Sequence, residues 1–362
     1  MAPAHVDPAS ARRVLLVRPR FIGDICLTLP ALDAVCSAAP GVRIGYLTER
    51  SCAPLLDGDP RIAELITAPP RPGAADTVRL VTAIRRFAPD VVLDFFCNPR
   101  TAAWTALSGA RVRVGYPGKG WRSAVYTHHV RPRTLSAVGF HLASVAVLGW
   151  DAPHTTPRLH IDDARRRETR AALDAEGVPS GARLIGMHPG ARWPTRRWAL
   201  ENFVALARRI VARHDDVTVL FTAGPGEEAM ASEAAAQVTG AVAITGWPLA
   251  RFVHLQAACA AFVCGDTGPA HTAVAAGCPT LGLFSRNRPA MFFPYPESAG
   301  HRAYYARVEC SPCHRDECPD LRCLRRLTVD GAFERLSAML AAVPSPLRFP
   351  LQARSRPAER IP

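Results

Sequence analysis

The chain's apolar residues come in short unbroken runs, each closed by a turn containing glycine or proline and most followed by apolar residues at helical spacing. The first run is RVLLVRP (residues 13–19); the turn RFIGD follows, and Ile25, Leu29, Leu32 and Cys36 then share one face of a helix. A strand with one wet face alternates apolar and polar residues, whereas an unbroken run marks a strand buried on both faces. Such strands alternating with helices form parallel sheets covered on both sides, so the expected class is α/β.

The pattern continues through VRIGYL, AELI, DVVLDFF and RVRVGY, and restarts near Arg183 with RLIGMH, VTVLFTAG, AVAIT, AAFVC and PTLGLF. A chain of 362 residues exceeds what one core usually supports. We therefore expect a flexible N-terminus at residues 1–12, an N-terminal domain at 13–165, a linker at 166–182 and a second domain at 183–327. An amphipathic helix at 328–342 and a disordered, Pro- and Arg-rich tail at 343–362 complete the chain. Both domains are expected to be Rossmann-like, facing each other across a central cleft lined by the carboxyl ends of both parallel sheets.

Lys and Arg exceed Asp and Glu by 13. That balance suits an anionic partner such as nucleic acid, lipid headgroups or a phosphorylated small molecule, although it also accompanies the Ala-, Arg- and Pro-rich usage of GC-rich genomes. No apolar run reaches the ~18 residues of a membrane span. The opening residues MAPAHVDPAS lack the basic and apolar regions of a signal peptide, so a cytoplasmic address is expected.

Polar residues crowd the turns at the strand ends. GDTGPAH (residues 265–271) places Asp266, Thr267, Gly268 and His271 where a strand hands over to a helix, whose free backbone N–H groups and dipole favour an anion. A residue such as Asp266 or Thr267 in that place also serves as a plain helix cap. HPGARWPTRRW adds Gly190, a hydroxyl at Thr195 and guanidiniums including Arg196, and arginine grips phosphate bidentately. FTAGPGEEAM ends in Glu227 and Glu228, carboxylates able to accept hydrogen bonds from ribose hydroxyls or to complement a helix dipole. Three glycine-bearing turns in one domain point to a nucleotide diphosphate site. Neither GxGxxG nor GxxxxGK[ST] occurs, which weighs against a dehydrogenase or a P-loop enzyme. In the first domain, RPRFIGD puts Asp24 after a strand, where it either caps a helix or faces the cleft as a general base.

The segments VLLVRPRFIGDICLTLPAL, HPGARWPTRRWALENFVALA and GDTGPAHTAVAAGCPTLGLF, in this order, resemble glycosyltransferase family 9, which includes the ADP-heptose:lipopolysaccharide heptosyltransferases. The likeness runs from about Arg13 to Leu340 and implies the GT-B fold. It implies inverting transfer of heptose from ADP-heptose to the lipid A–Kdo core, with Asp24 as catalytic base. Arg196 stands where the family usually has a diphosphate-binding Lys. Thr267 and Gly268 match diphosphate contacts, Asp266 a sugar contact, and Glu227 or Glu228 a ribose contact, while His271 matches a motif position read as structural. No catalytic cofactor is implied. The acceptor falls to the N-terminal domain, where Arg20, Asn98, Arg100 and Arg113 are the candidates, with peripheral contact at the inner face of the inner membrane. Another acceptor, an autotransporter protein or an O-antigen intermediate, is the alternative.

CSPCHRDECPDLRC brings Cys310, Cys313, Cys318 and Cys323 together with spacing that suggests a structural zinc or iron site, free or redox-active thiols and disulfides being the alternatives. A metal finger on a basic chain also raises a nucleic-acid-binding reading. The cluster carries no aromatics among its basic residues, however, and no nucleic-acid partner is expected.

Overall fold

The computed structural model describes residues 5–118, 120–313 and 315–342; the expected disordered tail at 343–362 lies outside them. Among the described residues, twelve strands form two parallel sheets of six. The first comprises β1 (Arg13–Val17), β2 (Arg43–Glu49), β3 (Glu64–Ala68), β4 (Val91–Asp94), β5 (Val112–Gly115) and β6 (His128–His129). The second comprises β7 (Arg183–His188), β8 (Val217–Thr222), β9 (Val242–Ile244), β10 (Ala261–Gly265), β11 (Thr280–Phe284) and β12 (Arg302–Tyr305). The orders are β3-β2-β1-β4-β5-β6 and β12-β11-β10-β7-β8-β9, the same doubly wound order twice. The α/β class and the pair of Rossmann-like sheets expected from the sequence are therefore what the chain forms. Each sheet gains an edge strand the apolar runs did not announce: β6 has two residues, and β12 is only partly buried.

Burial explains the unbroken runs. Val14, Leu15, Leu16 and Val17 of β1 and all five residues of β10 are buried, because helices cover both faces of each sheet. Parallel pairing fixes the register, with Val14 beside Ile44 and Val91, and Phe262 beside Gly186 and Thr280.

In each sheet the strand order reverses between the first and fourth strands, β1/β4 and β7/β10, and ligands of such sheets bind outside the carboxyl ends at that point. Two helices starting there meet at the seam. One spans Ile22–Ala38 after β1, the other Gly268–Ala275 after β10. A Cβ on Gly23 would lie 2.6 Å from His271 Cδ2, and one on Gly268 would lie 2.4 Å from Ile22 Cγ1. The two glycines thus let the lobes approach each other.

Other segments tie the ends down. Near the N-terminus, Val6 donates its N–H to the Leu148 carbonyl at 3.0 Å, and Trp150 Nε1 donates to the Val6 carbonyl at 2.8 Å. The stretch expected as a linker carries a helix, Asp163–Ala175, whose Asp162 cap accepts the Arg165 N–H. The helix Val329–Ala342 buries Leu336, Met339 and Leu340 beside the second sheet.

Candidate functional site between the sheets

A cavity of about 620 Å³ opens between the carboxyl ends of the two sheets. Asp24 and Phe21 line it from the first lobe; Gly190, Arg196, Glu227 and the Asp266–Gly268 turn line it from the second. The turns singled out in the sequence therefore converge on one space.

Asp24 sits in the first turn of the helix Ile22–Ala38, and its carboxylate does two things. Oδ2 accepts the Phe21 N–H at 3.1 Å, closing the helix start, while Oδ1 pairs with Arg18 Nη2 at 2.7 Å. The side chain remains 32% exposed toward the cavity, so capping and cleft-facing coexist. Arg18 is held in turn by the Phe95 carbonyl at 2.7 Å and lies over the Phe96 ring at 5.0 Å. The sequence reading missed it, although it directly follows β1 in the turn that leads to Asp24.

Across the cavity, Thr267 occupies the cap position of its helix, yet its hydroxyl donates to the Gly265 carbonyl at 3.3 Å instead of capping. The helix start thus keeps its N–H groups clear of a side-chain cap, with its positive end toward the cavity. Arg196 Nη1 donates to the Asp266 carbonyl at 2.9 Å and lies 3.7 Å from its carboxylate. Asp266 is buried and accepts the Asn287 side-chain amide. One guanidinium and one helix start therefore flank the same corner, a suitable seat for a polyanion.

His271 is buried one turn into that helix, its Nδ1 2.8 Å from the Tyr295 hydroxyl. Burial lowers its pKa below the ordinary histidine value, which keeps the ring neutral at physiological pH. It packs beside Gly23 and Tyr295 and also lines the cavity.

Of the two candidate glutamates, Glu227 lines the cavity. It accepts the Gly224 N–H at 3.3 Å and lies 3.5 Å from His188 Nε2 and 3.6 Å from Arg197 Nη2. The hydrogen bond from His188 is the largest influence holding its pKa below the usual carboxylate range. Gly190 makes room for it, since a Cβ there would fall 1.9 Å from Glu227 Oε2. Glu228 is exposed and accepts the Gly226 N–H at 3.1 Å, away from the cavity wall. Trp247, Leu249 and Phe252 supply an apolar wall near Glu227 that no sequence motif announced.

Thr195 is placed elsewhere. It is buried, and its hydroxyl donates to the carbonyls of Arg315 and Asp316 at 3.1 and 3.2 Å, in the segment carrying the cysteines. The four acceptor candidates do not line the cavity either. Asn98 Oδ1 caps the helix Pro99–Leu107 by accepting the Thr101 N–H at 2.8 Å. Arg100 donates to the Pro70 carbonyl at 2.8 Å, and Arg113 donates to the Val125 and Ala110 carbonyls, both at 2.7 Å. Arg20 lies over the Phe21 ring at 5.2 Å, with Glu49 at 3.9 Å.

Cys310, Cys313, Cys318 and Cys323 surround a smaller cavity of about 250 Å³ beside Thr195, and all are free thiols. Among the described residues, which exclude His314, no three His, Cys, Asp or Glu side chains are grouped to hold a metal ion. The expected structural zinc or iron is therefore not supported. Cys318 takes backbone N–H groups of Leu321 and Asp320, which hold its pKa below the usual thiol value. Three guanidiniums, from Arg286, Arg315 and Arg322, line the same cavity together with Asp320; Arg286 pairs with Asp316 and Arg322 with Asp320.

The family profile of glycosyltransferase family 9 (heptosyltransferase) matches residues 77–323. The chain belongs to glycosyltransferase family 9. Lipopolysaccharide heptosyltransferase 1 of Pseudomonas aeruginosa is 26% identical to it over 367 residues, covering 93% of this chain and all of the relative. Among solved structures, a family 9 glycosyltransferase from Veillonella parvula superposes with a TM-score of 0.82 at 19% identity, covering 94% of this chain and 99% of that one. The ADP-heptose lipopolysaccharide heptosyltransferase II of Escherichia coli gives a TM-score of 0.74 at 21% identity, covering 91% and 98%. The fold is accordingly GT-B, and this family 9 chain is a glycosyltransferase.

Proposed function

We propose that the chain moves a heptose from ADP-heptose to a hydroxyl of the lipopolysaccharide inner core, with inversion. The names of its relatives favour this donor and acceptor class. The observation that carries the reading is one cavity walled by Asp24 from one lobe and by Arg196, Thr267 and Gly268 from the other. A carboxylate base facing a polyanion seat is what a single displacement at a sugar diphosphate needs.

Asp24 takes the proton from the acceptor hydroxyl as its oxygen bonds to the anomeric carbon. The bond from that carbon to the diphosphate oxygen breaks on the opposite face, and ADP leaves with the electron pair. Arg196 and the start of the helix Gly268–Ala275 stabilise the charge growing on the leaving group, and donors already aimed at developing charge act most strongly in a water-poor site. Glu227 takes the ribose hydroxyls, and Trp247 with Phe252 forms an apolar wall for the base. Arg18 is a positioning residue for Asp24. The acceptor is lipid-linked and met at the inner face of the inner membrane; no helix among the described residues is long and apolar enough to cross a membrane.

The test is incubation of the purified chain with ADP-heptose and defined truncated cores, read by mass spectrometry for addition of one heptose. Asp24→Asn should lose at least about 10²-fold in turnover, the typical worth of a general base, with the ADP dissociation constant unchanged. Normal turnover in that variant removes Asp24 from the base role.

A further inference from the structure

The last acidic residue of β4 is Asp94, and from Phe95 to Trp150 the chain contains neither Asp nor Glu, although Asp and Glu number 31 in all. Arginines are not spared from that stretch: positions 100, 111, 113, 122, 131 and 133 are all Arg. Arg100 and Arg113 are committed to backbone carbonyls, and Arg122 donates to the Cys97 carbonyl at 3.1 Å. Arg131 and Arg133 are exposed, and among the described residues neither pairs with a carboxylate.

The same stretch carries two of the most exposed large apolar side chains, Trp121 at 56% and Leu135 at 68%. Topology brings them to one corner. β5 and β6 are parallel neighbours, Gly115 beside His129, so the segments that leave them emerge from the same end of the same sheet edge. Trp121 lies six residues beyond Gly115, and Leu135 lies six beyond His129. Two hydrogen bonds tie these segments together: Val130 donates its N–H to the Gly115 carbonyl at 2.9 Å, and the His129 ring bonds the Ser123 carbonyl at 2.8 Å. That end of the sheet is its carboxyl end, the side on which the cavity opens.

We propose that this corner, with Trp121 and Leu135 as its apolar tips and Arg131 and Arg133 as its charges, is where the enzyme rests on an anionic bilayer. The inference deepens the reading of the acceptor as lipid-linked and rests on it. A soluble phosphorylated glycan would satisfy the arginines but leave the indole and the leucine in water. A bilayer satisfies both, because indole rings settle at the headgroup level and basic residues are drawn to anionic lipid.

The test is co-sedimentation of the full chain with phosphatidylcholine vesicles, with and without phosphatidylglycerol, at low and high salt. Binding is expected only with phosphatidylglycerol and is expected to fall with salt. Arg131→Ala/Arg133→Ala should weaken it about thirty-fold, from roughly fivefold per arginine near an anionic surface. Trp121→Ala and Leu135→Ala should each weaken it further, while Arg79→Ala/Arg86→Ala, which removes the same charge from an exposed helix of the same lobe, should leave it intact. Equal loss in that control, or no dependence on anionic lipid, overturns the docking surface. Transfer to a deacylated, water-soluble core separates the two ideas. Normal transfer without vesicle binding sinks the docking surface alone; vesicle binding without transfer sinks the proposed activity alone.

Discussion

Gly268→Ala is the most informative single substitution, because its effect is set by the seam between the lobes. The added Cβ would lie 2.4 Å from Ile22 Cγ1 and 2.7 Å from Cδ1. Carbon atoms in contact settle near 3.5–4.0 Å, so the helix bearing Asp24 must retreat by about 1 Å. Ile22 is branched at Cβ and has little rotamer freedom to absorb the clash within a helix. A displacement of about 1 Å between reacting groups costs about 10²-fold in rate, or about 2.7 kcal/mol of activation free energy. The expected result is a hundredfold drop in single-turnover rate at saturating donor, with a near-normal melting temperature because alanine is the better helix former. Ile22→Ala removes both clashing atoms; of the three atoms nearest the added Cβ, the Gly23 nitrogen at 3.7 Å remains, an ordinary contact. The double variant Ile22→Ala/Gly268→Ala should therefore recover most of the rate that Gly268→Ala loses, relative to Ile22→Ala alone. A Gly268→Ala enzyme within threefold of the parent, or a double variant no faster than the single, refutes the reasoning.

Arg196→Ala should raise the ADP dissociation constant by about 10- to 150-fold, the worth of one hydrogen bond to a charged group, about 1.5–3 kcal/mol; calorimetry with ADP measures it, and unchanged affinity removes Arg196 from the diphosphate seat. His188→Ala leaves Glu227 without its principal partner, so ADP should bind about tenfold more weakly, near 1.4 kcal/mol. The Glu227 carboxyl signal should then titrate at higher pH, and the loss should grow as the solution is acidified. His301 is buried among Phe293 and Tyr295, and burial pushes its pKa down from 6.5 to about 4. Below pH ~6.5 the unfolded chain takes up a proton that the folded chain refuses until about pH 4, so stability falls across that window by up to about 3 kcal/mol. His301→Phe should flatten this part of the melting-temperature profile, and an unaltered acid slope counts against the assignment.

Both sheets were legible because strands buried on two faces need unbroken apolar runs, and ten of the runs read from the sequence became strands. β6 and β12 escaped because edge strands are covered on fewer sides: His128–His129 carries no apolar run at all. The turns after β1, β7, β8 and β10 were legible as sites because topology alone sends those strand ends to the cleft. What the side chains do there was less so. Thr195 and Arg196 are adjacent, yet one bonds carbonyls 120 and 121 residues away and the other faces the cavity. Local spacing contains no record of those distant partners. Asn98 and Arg113 illustrate the same limit, since unpaired helix ends and carbonyls nearby claimed them first. One available signal went unread: β11 is followed at its carboxyl end by the polar residues Ser285-Arg286-Asn287, and Asn287 proves to hold Asp266.

That short tripeptide has a practical consequence. Ser285 donates to the Thr195 carbonyl at 2.6 Å, Arg286 to the Arg315 carbonyl at 2.6 Å, and Asn287 to Asp266. Three successive side chains thus rivet the cysteine segment to the two turns that face the cleft. Anyone exchanging that segment between family members must transplant positions 195 and 285–287 with it; a graft that omits them would disturb both cleft-facing turns without altering a residue of either turn.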